Sequence, residues 1–334
     1  MLTRPRGGVI VGRAIIMADS SVFHPGEQEA QARAGVRERI EQVGQVMLRD
    51  HMLDQHRELF AQLPMLVVGS LDEGGRPWAS LLAGRPGFVS TPDPRTLRVD
   101  ARPLPGDPLA ANLAVGAPIG ILGIELPTRR RNRMNGSVAA TDASGFSVSV
   151  QQSFGNCPKY IQARTPVWTG VATPSAVAVE GAALSDDARR MIESADTFFI
   201  ATAAADALSP AASRADGVDV SHRGGKPGFV RVTDDGAATL LTIPDFVGNY
   251  LFNTLGNLLV NPRAGLVFVD FARGDLLGLT GSVTIVWDGP EVDAFAGAQR
   301  LLRIRVEEGW RLRAALPLRW SAPEFSPHLR DTGP

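Results

Sequence analysis

Side chains able to do chemistry collect in four short stretches of this sequence. Ser221, His222, Arg223 and Lys226 set a hydroxyl, an imidazole and two cations close together. Downstream, Asn249, Asn253 and Asn257 recur at a spacing of four, with Thr254 beside them. On a helix that spacing makes a polar stripe, while Leu251, Leu255, Leu258 and Leu259 pack elsewhere; such a helix can lay its polar side over a ligand. The third stretch, Asn156-Cys157-Pro158-Lys159, offers a thiol and a cation. No partner cysteine exists, and a buried inert cysteine is the commoner case. The fourth, Thr128 to Arg133, is the densest positive run. Its ordinary reading is a solvated hairpin, and its functional one is a grip on the phosphate of a nicotinamide cofactor or on another anionic substrate. The same plain reading, solvated hairpin charge, stands beside Arg223 and Lys226.

Composition removes several function classes. The chain has 334 residues, 44% hydrophobic and 21% charged, an ordinary globular balance with room for two domains. A net charge of −1 gives no global field favouring nucleic acid or an anionic membrane. The single cysteine excludes an internal disulfide and fits a cytoplasmic setting. Residues 9–17, VIVGRAIIM, are too short for a membrane span and are broken by Arg13, so residues 1–21 read as a flexible arm. The histidines are scattered, and His51 and His56 stand five apart, a poor spacing for two ligands on one helix face, so no metal site is expected. No Gly-x-Gly-x-x-Gly follows a strand, which argues against a Rossmann domain.

The elements that must position these stretches occur twice. Gly84-Arg85-Pro86-Gly87-Phe88-Val89 returns as Gly225-Lys226-Pro227-Gly228-Phe229-Val230. Thr96–Val99 corresponds to Thr239–Thr242, residues 107–118 to 249–262, residues 119–125 to 264–270, and Asn135–Val138 to Thr280–Val283. The offset stays near 140–145 residues, a domain-sized period. Short strand-like runs between Gly/Pro turns, with few helices, predict two closed β-barrels. The expected organisation is a helical segment over 22–62, a first barrel over 63–165, a linker with a short helix over 166–195, and a second barrel over 196–325. Helices are expected over 25–60, near 107–116, over 249–262 and over 293–302. A fused pair of this kind can build, from two unlike halves, the site a homodimer would build at its two-fold axis.

The order strand–hairpin–strand, Gly-x-Pro-Gly-Phe, strand, a helix ending Asn-Pro-Arg, then Gly-Leu-Val-Phe resembles the pyridoxamine 5′-phosphate oxidase-like split barrels. Residues 221–230 and 244–268 carry the likeness best, 156–164 resembles the Cys-Pro-Lys segment after the last strand of many relatives, and 23–27 with 92–103 suggests a bacterial subgroup with two tandem barrels in one chain. The resemblance implies a mainly β fold with some helix: two split β-barrels paired as an intramolecular pseudo-dimer, plus N-terminal helices. It implies a flavin mononucleotide (FMN) site, with the deazaflavin cofactor F420 and haem as alternatives. Phosphate and ring-edge contacts are then expected from Ser221, Arg223, Lys226, Asn249, Asn253, Thr254 and Asn257. Arg-Lys stands in the oxidase itself where this chain has Asn253-Thr254. Lys159 would stabilise negative charge on a reduced ring or substrate, or else pack along the interface. His222 suits donation to the flavin or protonation of a substrate, and equally a surface turn. The first copy keeps Ser80, Arg85 and Asn112 but has Ala110, Ala111, Ala114 and Gly116 in its helix region, so one site per chain is expected, held mainly by the second copy. The implied activity is an FMN-dependent oxidoreductase passing electrons from a reduced nicotinamide or small organic substrate to dioxygen or another acceptor. A binding or sensing protein, or a scaffold that has lost the flavin, is the alternative. A homodimer of the pseudo-dimer is left open.

Overall fold

The computed structural model describes residues 21–333; the expected arm over 1–21 lies, but for its last residue, outside them. Three helices open the chain: α1 (Pro25–Arg33), α2 (Arg37–Met47) and α3 (Asp54–Gln62), where one helical stretch was expected. His24 and Glu27 form a capping box at the start of α1. The first barrel holds β1 (Met65–Leu71), β2 (Pro77–Ala83), β3 (Val89–Asp93), β4 (Thr96–Val99), α4 (Leu109–Asn112), β5 (Pro118–Glu125), β6 (Arg130–Thr141) and β7 (Phe146–Gly155). After β8 (Pro166–Trp168), β9 (Ala178–Glu180) and α5 (Asp186–Ser194), the second barrel repeats the series. It comprises β10 (Thr197–Ala203), β11 (Val218–Gly224), β12 (Arg231–Asp234), β13 (Thr239–Phe246), α6 (Asn253–Val260), β14 (Arg263–Asp270), β15 (Asp275–Val286), α7 (Pro290–Asp293) and β16 (Ala298–Leu312). The last strand, β17 (Leu318–Trp320), pairs with β8.

The two antiparallel sheets have the same strand order. One runs β2-β1-β5-β6-β7-β4-β3, the other β11-β10-β14-β15-β16-β13-β12. Neither closes: β2 and β3 end the first path and β11 and β12 the second, so the expected closed barrels are split ones. The fold is mainly β, with two tandem split barrels and N-terminal helices.

Alternation along the strands explains how the barrels join. Leu66 and Val68 point into the core of the first barrel, and their neighbours Met65 and Val67 into a second cluster. Phe198 and Ile200 fill the second barrel, while Phe199 and Ala201 enter that same shared cluster. A strand buried on both faces reads as one apolar run, as β1 and β10 do. The contacts across the join are reciprocal: β11 meets β5 and β6, and β2 meets β14 and β15. That reciprocity is what a pseudo-two-fold requires.

One expected helix is a strand. Residues 298–302 belong to β16, which is hydrogen-bonded to β13 on one side and β15 on the other. Only Pro290–Asp293 turns helical before it. Two ladders of backbone hydrogen bonds outweigh the helical propensity of Ala, Gln, Arg and Leu. Trp310–Leu312 lies in that same strand.

Candidate functional site

The separate stretches meet at the mouth of the second barrel. The pocket there has an empty volume of about 830 Å3 including its open entrance, and the centre of a water molecule can range over about 100 Å3 of it. Three parts of the chain line it. β6 of the first barrel sends in Arg131 and Arg133, two residues apart and so on one face of the strand. The connection after β7 adds Cys157, Lys159 and Tyr160. The second barrel gives His222 and Arg223 from β11, Asp245 and Phe246 from β13, the loop 247–252, Asn253 and Thr254 from α6, and Gln299 and Arg300 from β16.

The pocket is strongly cationic. Arg131, Arg133, Lys159, Arg223 and Arg300 line it, against the single carboxylate of Asp245. Asp245 is shared by Arg223 at 3.6 Å and Arg300 at 3.2 Å. Arg133 pairs with Asp219 at 3.3 Å, donates to Asn253 Oδ1 at 2.8 Å, and donates to Ser221. Arg131 has no carboxylate on it; it donates to the Cys157 carbonyl at 2.9 Å and lies 3.8 Å from Cys157 Sγ. Its guanidinium is ringed by protein atoms although it keeps some surface toward the pocket, and this burial, with Arg133 and Arg223 nearby, pushes its pKa down to about 10. At neutral pH it stays charged. Burial likewise lowers Arg133.

Several polar atoms here have no partner. The Nε–H groups of Arg133, Arg223 and Arg300, and His222 Nε2, are buried without a hydrogen bond. Unsatisfied buried polar groups are rare and costly, and three guanidinium N–H groups around one pocket call for an acceptor-rich ligand or water. Burial, and then the charges of Arg131, Arg223 and Arg164, hold the His222 imidazole well below its ordinary pKa. His222 is therefore neutral near pH 7, and the expected role of protonating a substrate is not one it is poised for.

The aromatic side of the pocket is built on unusual backbone. Tyr160, Tyr250 and Phe252 all adopt left-handed φ values, 63°, 61° and 62°. Bulky residues pay strain for that conformation, and such strain gathers at ligand sites. Tyr160 packs on Phe246 with ring centroids 5.2 Å apart and donates to the Val247 carbonyl at 3.2 Å.

Of the residues expected to hold a ligand, Lys159, Arg223, Asn249, Asn253 and Thr254 line this pocket, as does His222. Ser221 sits just behind it, fully buried, 3.1 Å from the Thr254 hydroxyl. Two do not belong. Lys226 Nζ donates to the Thr332 carbonyl at 2.6 Å, because the turn after β11 carries it away to the C-terminal segment. Asn257 donates to the Thr202 hydroxyl at 3.1 Å, inside the barrel. The polar stripe also breaks at its start: α6 begins at Asn253, so Asn249 is a loop residue that donates to Asn156 Oδ1 at 3.1 Å. Sequence reasoning missed Arg300, hidden in a segment read as helix. It saw Arg131 and Arg133 as part of a basic run, without the strand alternation that separates them from Arg130.

The pseudo-equivalent mouth, on the first barrel, is sealed. The repeat places Leu81 and Leu82 where the second copy has His222 and Arg223, and Leu276 and Gly278 where the first copy has Arg131 and Arg133. Leu81, Leu276 and Trp310 belong to the apolar cluster between the barrels. The Trp310 indole lies so close over Gly278 that a Cβ there would collide with it.

No protein-family model and no curated protein matches the chain. Among solved structures it is similar to HupZ of Group A Streptococcus at 16% identity and a TM-score of 0.28, over 37% of this chain and 90% of that one. A histidine-to-alanine variant of HupZ aligns at 15% identity and a TM-score of 0.29, over 38% and 98%. Among the described residues no helix is long and apolar enough to cross a membrane, and no cluster of three or more His, Cys, Asp or Glu is placed to hold a metal ion.

Proposed function

We propose that the chain is a flavin-dependent oxidoreductase of the pyridoxamine 5′-phosphate oxidase-like kind, with one FMN site per chain in the cationic pocket. The observation that carries this reading is the convergence of five cationic side chains, three of them with unpartnered Nε–H groups, on a pocket flanked by aromatic rings. This donor set fits the group. Arginines match a phosphate dianion and the acceptor edge of a flavin, and Tyr160, Phe246 and Phe252 offer an apolar wall. The open entrance suits a ring with one face left for a reactant.

When bound, FMN supplies hydride and single-electron chemistry. The chain's own residues bind, orient and tune. Arg131, Arg133, Arg223 and Arg300 set a positive potential that favours negative charge gained on reduction. Asn249 and Thr254 add neutral donors and acceptors to its lining, while Asn253 holds Arg133. His222, kept neutral, supplies a hydrogen-bonding nitrogen rather than an acid. Electrons would come from a diffusing reduced nicotinamide or small organic molecule, and leave to dioxygen or another acceptor.

One observation favours a second reading, a haem-binding protein: His222 is buried and neutral with Nε2 unpartnered, a state in which it could hold haem iron. A visible spectrum separates the readings. Purified protein mixed with FMN and stripped of excess is expected to keep flavin bands at one FMN per chain, and to be reduced by NADH or NADPH. A protein that keeps haem and no flavin would reverse the order, and one that keeps neither would remove both.

A further inference from the structure

The helix α1 lies outside both barrels, yet its side chains reach the pocket wall. Glu27 Oε1 accepts from Asn253 Nδ2 at 2.5 Å, and Asn253 Oδ1 accepts from Arg133 Nη1 at 2.8 Å. One turn along, Gln31 Nε2 donates to the Leu251 carbonyl at 3.1 Å, between the left-handed Tyr250 and Phe252. This reach depends on close helix packing: Gly26 and Gly256 face each other so tightly that a Cβ on either would enter the other helix's backbone. Glu27, Gln31, Asn253 and Arg133 are all buried, 6–7% exposed at most.

We infer that Glu27 is a positioning residue for the pocket: through Asn253 it fixes the orientation of the Arg133 guanidinium, and so sets the pocket's affinity for an anionic ligand. The amide of Asn253 has one donor end and one acceptor end. With Glu27 accepting at the donor end, only the acceptor end remains for Arg133. An amide turned the other way would face the guanidinium with N–H groups and push it off. Arg133 is then held by Asn253, Asp219 and Ser221, with its Nε–H buried and unpartnered. Flavin enters this inference only as the probe ligand; the geometry stands without it.

Charge adds a second consequence. Burial and the charge of Asp219 raise the Glu27 pKa well above the ordinary carboxyl range, against the opposing N–H groups of Asn253 and His24 and the charge of Arg133. The other ionisable neighbours are His24, lowered by its own burial, and Asp216 in the turn before β11. When Glu27 ionises at high pH, a second carboxylate joins Asp219 beside Arg133. The positive potential offered to an anion falls.

Two measurements on the full chain test this. The first is FMN affinity against pH for wild type, Glu27→Gln and Glu27→Leu, with thermal stability followed alongside. Wild type is expected to lose affinity as pH rises through the Glu27 ionisation. Glu27→Gln, which keeps a neutral acceptor for Asn253 and cannot ionise, is expected to match wild type near neutral pH and to lack that step. Glu27→Leu, which offers Asn253 no acceptor, is expected to bind about tenfold more weakly, roughly 1.4 kcal/mol. A pH step that survives in Glu27→Gln, or wild-type affinity in a folded Glu27→Leu, would overturn the inference. The second is the Arg133 Nε–H resonance in nitrogen-15 NMR, assigned by its loss in Arg133→Lys. It should shift with the Glu27 ionisation and move in Glu27→Leu, whether or not FMN binds. A resonance indifferent to both would overturn the inference too, whereas absent FMN binding with a responsive resonance would sink only the flavin reading.

Discussion

The two barrel mouths began as copies and have diverged in opposite directions. Around the second, β11 offers His222 and Arg223 and the facing β6 offers Arg131 and Arg133. Around the first, β2 offers Leu81 and Leu82 and the facing β15 offers Leu276 and Gly278, under Trp310. Even the shared serine differs. Ser221 accepts from Arg133, while Ser80 donates to Asp107 at 2.6 Å. In a homodimer each change would appear at both sites. Fusion frees each half to specialise, so Arg131, Arg133, Arg223 and Arg300 gather at one mouth, and the matching strands of the other become core that holds the barrels together.

The comparison breaks most sharply at Arg133. Arg133→Ala should abolish measurable FMN retention and leave Asp219 as a buried, unpaired charge, a loss of about 3–5 kcal/mol in denaturant titration. Undiminished stability would mean the pair matters less than its burial indicates. On the sealed side, Trp310→Ala should also cost about 3–5 kcal/mol, through the cavity it leaves, yet keep FMN affinity and one flavin per chain. A second flavin in that variant would show that Trp310 alone closes the mouth.

Asp107 sharpens the contrast by pH. Burial raises its pKa from 3.8 to about 6, against the hydrogen bonds from Ser80 and the Leu109 N–H. The folded chain therefore holds a proton that the unfolded chain releases near pH 4. Stability from this group is highest below that pH, falls as pH rises to about 6, and stays lower above it. Asp107→Asn should flatten that slope and add on the order of 1–3 kcal/mol at pH 7–8, measured by thermal or urea unfolding. The smallest effect is expected from Lys226→Ala: unchanged FMN affinity, and a loss under about 1 kcal/mol from freeing the Thr332 carbonyl.

Much of this was legible in the chain itself. The tandem repeat is written in Gly-x-Pro-Gly-Phe and Asn/Thr-Gly-Ser-Val, and the two matching strand orders follow it. Five of the eight expected cofactor contacts line the pocket: four lie in β11, in the loop before α6 or at its start, and Lys159 comes from the connection after β7. The two that lie away from the pocket share a cause. Lys226 and Asn257 are polar residues in the right segments that point elsewhere, to Thr332 and Thr202. Their direction depends on where β11 ends and where α6 begins, and sequence spacing locates such boundaries only to within a few residues.

The sequence by itself determined the duplication, the short strands between Gly/Pro turns, and the asymmetry of polar and apolar residues between the copies. Local composition carries those, because burial periodicity and repeated turns are properties of short segments. Only the tertiary structure decided that Arg131 and Arg133 of the first copy complete the pocket of the second, that Arg300 joins them from a strand, and that Glu27 reaches Asn253 from 226 positions away. Those contacts come from packing one barrel against the other and α1 against α6, and no local pattern encodes which distant surfaces will meet.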